Sequence, residues 1–342
     1  MTDTATHPEQ HRTCIALVFA VLAVIVAAAC APTAAARTDT AAPENAVRIW
    51  KIDYTAHNGA VRHAYVVLPA WYGPGNDPPL PLVISPHGRG ATGLQNADYW
   101  DTMPAIGRFA VINPDGMGRK YTRYSYGDPG QIDDLAKMPD FATKALPWLR
   151  IDRSRIYALG SSMGGQETLL LVARHPGLLA GAAAMDSVTD LALRYSQLLD
   201  LGCDARCLQR NGGRPAGAVL QDMMSAEVGG APDTTPAAYA ARSSLSQAQQ
   251  IAASRVPLQI WWSTEDRIVT DQQTQSGALF TAVKHLNPCA PVSEYVGRWA
   301  HSTEMRAKAL LPIALKGFGL LPKNHKRLPA SVRVTAAPQC SA

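Results

Sequence analysis

The chain has 342 residues, 47% apolar and 17% charged, which is enough apolar content for a buried core and too little charge for intrinsic disorder. At about 150 residues per domain, this length fits two domains or one large domain with appendages. Lys and Arg number 32 against 27 Asp and Glu, a formal net charge of +5, and no basic block stands out, so a nucleic-acid-binding surface is not indicated.

Residues 15–29 form an uninterrupted apolar run. That is shorter than the ~20 residues of a membrane span and suits the core of an export signal. The residues before Cys30, Val26-Ala27-Ala28-Ala29, look like a lipoprotein box, so Cys30 is a candidate for lipidation and membrane attachment. The expected division is a signal over 1–30, a tether over 31–45, a main domain over 46–321 and a polar, basic surface tail over 322–342.

Strand-like runs open the main domain at 47–52, with strict apolar/polar alternation, and at 61–68. Short apolar runs follow at 82–84, 109–112 and 181–185, as expected of strands covered on both faces, with further strand-like runs at 155–159, 258–262 and 292–296. Helical stretches alternate with them, at 96–106, 132–149, 163–174, 272–286 and 303–320. This order predicts an α/β fold: a doubly wound, mostly parallel sheet with helices on both faces. Residues 190–255 interrupt the alternation and are too long for a plain loop, so a helical insertion or lid is expected there.

Six cysteines occur, two of them (Cys14 and Cys30) in the leader. Cys203, Cys207, Cys289 and Cys340 remain for the exported domain, where thiols oxidise, and local pairing favours 203–207 and 289–340. A zinc site at Cys203-x3-Cys207 lacks a histidine or a second cysteine pair at ligand spacing. No metal and no organic cofactor is implied.

The most informative segment is Gly160-x-Ser162-x-Gly164, directly after a buried strand and before a helix. A serine on so tight a turn projects its hydroxyl above the sheet, and the helix aims N–H groups at developing negative charge. Ser162, flanked by glycine at both required positions, is the expected nucleophile rather than Ser161. It needs a base oriented by an acid. Asp266, on the loop after the strand at 258–262, is the expected acid, with Glu265, Asp271 and Asp186 as competitors. His301, on the loop after the strand at 292–296, is the expected base. Two N–H donors are needed for an oxyanion. Met163 would supply one, and Arg89 or Gly88, in Ser85-Pro86-His87-Gly88-Arg89-Gly90, the other. Tyr124 and Trp299 are candidates for the substrate pocket, whereas Trp261 and Trp262 end a buried strand and suit the core equally well.

With His87-Gly88, Gly160-x-Ser162-x-Gly164, Asp266 and His301 in this order, the chain resembles the α/β-hydrolase superfamily over roughly residues 47–320. Within it, the chain looks like secreted esterases of the polyhydroxyalkanoate-depolymerase and feruloyl-esterase type and like prolyl-oligopeptidase-like catalytic domains. The resemblance implies an exported serine hydrolase that cleaves small or polymeric carboxylic esters through an acyl-enzyme. One alternative is a serine peptidase, although only about 45 residues precede the first strand, too few for the propeller of an oligopeptidase. The other is a non-catalytic binding protein on the same scaffold.

Overall fold

The computed structural model describes residues 45–116, 124–303 and 310–340, all within the unit Ala42–Ala342. The signal, most of the tether and the lipidation candidate Cys30 lie outside them. Among the described residues no helix is long and apolar enough to cross a membrane.

The strands are β1 (Val47–Thr55), β2 (Val61–Pro69), β3 (Leu80–Ile84), β4 (Ala110–Pro114), β5 (Ile151–Ser161), β6 (Gly181–Met185), β7 (Leu258–Ser263), β8 (Val292–Gly297) and β9 (Arg333–Thr335). They form one sheet in the order β1-β2-β4-β3-β5-β6-β7-β8-β9. Strands β3 to β8 are parallel. β2 runs antiparallel to both β1 and β4, and β9 antiparallel to β8.

Strands β3, β4, β6 and β7 are buried at every position because successive side chains enter opposite cores. Leu82 and Ile84 of β3 join one cluster and Val83 the other; Ala182 and Ala184 of β6 are divided from Ala183 and Met185 in the same way. The first core is closed by α3 (Pro129–Ala145), α4 (Met163–Arg174), α9 (Ala248–Ala253) and α10 (Ala278–Leu286), through residues such as Ile132, Leu169, Ile251 and Leu279. The second is closed by α2 (Met103–Gly107) and α11 (Leu311–Gly317), through Met103, Leu311 and Leu315.

Four regions differ from the sequence expectation. The helix expected at 96–106 is two short ones, α1 (Gly93–Asp98) and α2, separated where Asp101 turns at φ 47° and Trp100 is wholly buried. The stretch before α10 is a π-turn over Gln273–Gly277. There the buried Gln275 side chain accepts from the N–H groups of Thr189 and Asp190, both at 2.8 Å. The tail is not merely surface coil, since β9 pairs with β8 in the register Tyr295 with Val334. The interruption also ends sooner than residue 255, because α9 packs Ile251 and Ala252 into the first core.

What remains of the insertion is α5 (Leu191–Gln197), α6 (Ala205–Arg210), α7 (Ala216–Val228) and α8 (Pro236–Ala241). Leu191, Leu198, Met224, Val228 and Tyr239 form a third, smaller cluster with Tyr126, Val188 and Val269. A disulfide joins Cys203 to Cys207, and another joins Cys289 to Cys340, four and 51 positions apart in sequence.

Candidate functional site

In the sheet β3 lies between β4 and β5, so the chain leaves β3 toward one side and returns at β5 on the other. At such a switch point the loops beyond the strand C-termini part and leave a crevice. The loop Ser85-Pro86-His87-Gly88-Arg89 follows β3 there, and Ser162 follows β5.

Ser162 sits at φ 59°, ψ −124° between β5 and α4. A non-glycine residue in so sparsely populated a region costs about 1–3 kcal/mol, which neighbouring contacts must offset. Its N–H donates to the Met185 carbonyl at 2.8 Å, and its own carbonyl accepts from Gln166 N at 3.0 Å. The flanking glycines are required by close approach. A Cβ on Gly160 would lie 2.4 Å from the Gly164 carbonyl oxygen, and one on Gly164 would lie 2.2 Å from the Pro86 oxygen. The turn is thereby pressed against the loop after β3. Met163 begins α4, so its N–H has no carbonyl partner within the helix.

His301 Nδ1 lies 2.6 Å from Asp266 Oδ2, and the Asp266 side chain is almost wholly buried. Asp266 Oδ1 also accepts from the N–H groups of Ile268 at 2.8 Å and Val269 at 3.0 Å, and Oδ2 accepts from Gln272 Nε2 at 3.2 Å. Burial by itself would raise the pKa of this carboxyl; the hydrogen bond and charge of His301, aided by the two backbone N–H groups, outweigh it and hold the pKa below its ordinary value. A carboxylate at Nδ1 fixes the imidazole proton there and leaves Nε2 as the acceptor.

Asp186, the competing acid, is also wholly buried and has a positive φ of 46°. Its Oδ2 accepts from Trp299 Nε1 at 2.9 Å and Ser302 N at 3.0 Å, and its Oδ1 from Ser263 N at 3.1 Å. It thus ties the end of β7 to the loop that carries His301. Asp186, Asp266 and His301 bring three potential metal-ligand atoms within 4.8 Å of one another. Both carboxylates are already filled by N–H donors, so the cluster is built for hydrogen bonding. Of the other competitors, Glu265 accepts from Arg298 at the surface, and Asp271 turns the chain at φ 53°.

The loop after β3 is held from beneath by a buried polar network. Asn96 Nδ2 donates to the Ser85 carbonyl at 2.9 Å, Ser85 Oγ at 2.8 Å and Asn113 Oδ1 at 2.9 Å. Trp100 Nε1 adds a bond to Ser85 Oγ at 3.2 Å. Above it, Gly88, Arg89, Ser161, Ser162, His301 and Ser302 line an open cavity of about 480 Å3. The expected nucleophile, base and oxyanion-loop residues therefore face one space.

A second, smaller pocket of about 40 Å3 begins at the same serine, with Ser162 and Met163 in its wall. Neither Tyr124 nor Trp299, the residues expected in the substrate pocket, lines either cavity. Tyr124 instead stacks on Tyr126 and lies under the Arg89 guanidinium, and Trp299 is taken up by Asp186. Tyr126 and Arg194, which the sequence reading passed over, do line the small pocket. Arg194 stands one helical turn after the N-cap Asp190, a spacing visible in sequence only once α5 is placed above the elbow.

The model of the prolyl oligopeptidase family matches residues 109–202, from β4 through the elbow to just past α5. Among solved structures, the chain is similar to a Pyrococcus horikoshii acylaminoacyl peptidase at 15% identity and TM-score 0.59, covering 83% of this chain but only 43% of that one. A Staphylococcus aureus S-formylglutathione hydrolase matches at 16% identity and TM-score 0.55, over 80% of this chain and 99% of that one. A Pyrococcus furiosus esterase matches at 15% and 0.55, over 80% and 93%. The chain has the α/β-hydrolase fold. Across this sheet, the loops that carry Asp266, His301 and Ser162 all leave strand C-termini on one rim, after β7, β8 and β5 respectively.

Proposed function

We propose that the chain is an exported serine hydrolase that cleaves carboxylic esters through an acyl-enzyme. The observation that carries this reading is the buried Asp266–His301 pair at 2.6 Å on a cavity shared with the strained Ser162. Ser162 Oγ attacks the acyl carbon, His301 takes its proton and returns it to the leaving alcohol, and Asp266 holds the tautomer and stabilises the imidazolium. The N–H groups of Met163 and of Arg89 or Gly88 receive the oxyanion. Water, activated by His301, then releases the acid. Ester substrates are favoured because the solved structures that this chain spans almost end to end include an S-formylglutathione hydrolase and an esterase. The apolar run at 15–29 and the two disulfides support export; Cys30 remains the candidate for lipid attachment.

The match to the prolyl oligopeptidase family model favours a second reading, a serine peptidase. One experiment separates the readings. The full chain is treated with a fluorophosphonate probe and then assayed on matched aryl esters and peptide aryl amides. Labelling that is lost in Ser162→Ala, with ester turnover exceeding amide turnover, is the expected result. Amide turnover equal to ester turnover would favour the peptidase, and absence of labelling would favour a binding protein on this scaffold.

A further inference from the structure

The small pocket behind Ser162 has an unusual wall. Val188, Leu191, Leu198, Leu220 and Met224 make it apolar, yet two polar groups end in it without partners. The Tyr126 hydroxyl and Arg194 Nη1 are buried and form no hydrogen bond, and each residue is 5% exposed. No carboxylate among the described residues lies within ion-pair distance of Arg194. Asp266 and Asp200 act on it only from further away, and Arg89, in the same wall, adds a second positive charge. Burial, then Arg89, lowers the Arg194 pKa to about 10, so the guanidinium stays charged at neutral pH. Burial raises the Tyr126 hydroxyl to about 12, so it is a donor there.

A buried guanidinium with an unused N–H is costly unless a ligand completes it. Arg194 is also held in place. Its backbone N–H donates to the Asp190 carbonyl at 3.0 Å, and Asp190 caps α5 through Leu193 N while Gln275 clamps the residues ahead of it. Ser162 is part of the pocket's wall, so an acyl group bonded to that serine can extend into it. About 40 Å3 holds roughly three water-sized groups, or a chain of about three to five heavy atoms.

We propose that this pocket binds the acyl part of the ester, and that the preferred acyl group is a short dicarboxylic half-acyl of hemisuccinate size whose free carboxylate meets Arg194 and the Tyr126 hydroxyl. The apolar wall packs the intervening methylenes, and Arg194 supplies the charge-assisted bond. The proposal rests on the hydrolase reading above and names its substrate class.

The test compares 4-nitrophenyl hemisuccinate with 4-nitrophenyl pentanoate, whose acyl chains are nearly equal in length. The wild type is expected to favour the hemisuccinate in kcat/KM by about 10- to 100-fold, the size of a charge-assisted hydrogen bond. In Arg194→Met that ratio falls to near one or inverts, and in Tyr126→Phe it falls severalfold. A wild-type ratio at or below one overturns the proposal, even if Arg194→Met does not fold. An unchanged ratio in a folded Arg194→Met also overturns it. Succinate alone is added in a thermal melt as an independent probe. If neither ester is cleaved yet succinate raises the wild-type Tm and not that of Arg194→Met, the pocket stands and the hydrolase reading fails. If neither ester is cleaved and succinate has no effect, both fail.

Discussion

Ser161 Oγ donates to Ser302 Oγ at 2.8 Å, joining the residue before the strained serine to the residue after His301. The elbow and the histidine loop thus meet through side chains one position away from those proposed to react. Ser161→Ala should lower kcat by less than about tenfold, since one neutral hydrogen bond between loops is lost. Ser162→Ala should lower it by about 10⁴–10⁶ with Tm nearly unchanged. Aryl-ester kinetics and a melt on both variants check this, and a greater loss at Ser161 would move the nucleophile.

Asp186 and Asp266 should separate by readout. Asp266→Asn presents an amide to His301 Nδ1, favours the wrong tautomer and should cut kcat by about 10⁴. Asp186→Asn places an NH2 group among three N–H donors, so its main expected effect is a stability loss of about 1–3 kcal/mol in a denaturant titration. A larger kcat loss at Asp186 would reverse the assignment.

Glu167, buried on α4 and bonded by Ser125 Oγ, has its pKa raised by burial from 4.5 to about 8, against the opposing hydrogen bond. The folded state therefore keeps a proton that the unfolded state has released between those values. Stability from this group falls as pH rises through that window and levels off above it. Glu167→Gln, which imitates the protonated side chain, should gain in Tm relative to the wild type as pH rises across the window. A Tm difference independent of pH would mean that Glu167 ionises at its ordinary value.

The Cys289–Cys340 bond closes a loop of 51 positions, for which chain entropy gives about 4 kcal/mol of stabilisation. The double variant Cys289→Ser/Cys340→Ser should lose about 2–4 kcal/mol and keep its ester kcat, because the bond lies away from Ser162 and His301. Chemical unfolding of the wild type and the double variant without reductant measures the difference, and equal midpoints would show that this bond contributes nothing.

The alternation of short, mostly apolar strands with helices made the sheet legible, since β3, β4, β6 and β7 are buried on both faces along their whole length. Ser162, Asp266 and His301 stood out by their place after strands, which chain order alone reveals. Arg194 and Tyr126 did not, because they come from an insertion helix and from a loop after β4, and only packing sets them beside Ser162. Trp299 misled for the converse reason: an aromatic residue two positions before His301 reads as pocket lining, whereas its indole N–H is used by a buried carboxylate. The break at Asp101 and the π-turn at Gln273–Gly277 escaped because buried side chains, Trp100 and Gln275, decide them rather than local propensity.

The short strand β9 has a consequence for behaviour in concentrated solution. By pairing with β8 it occupies backbone groups that would otherwise form the open rim of a long sheet, and its own outer side carries Arg333, Val334 and Thr335 over only three residues. A brief edge bearing a charge is a poor template for another chain. Freed of its tether at Cys340, β9 could detach and leave the six-residue β8 to recruit strands from other molecules. The disulfide at the end of the tail would then act as a guard against self-association, and loss of colloidal stability would precede loss of fold.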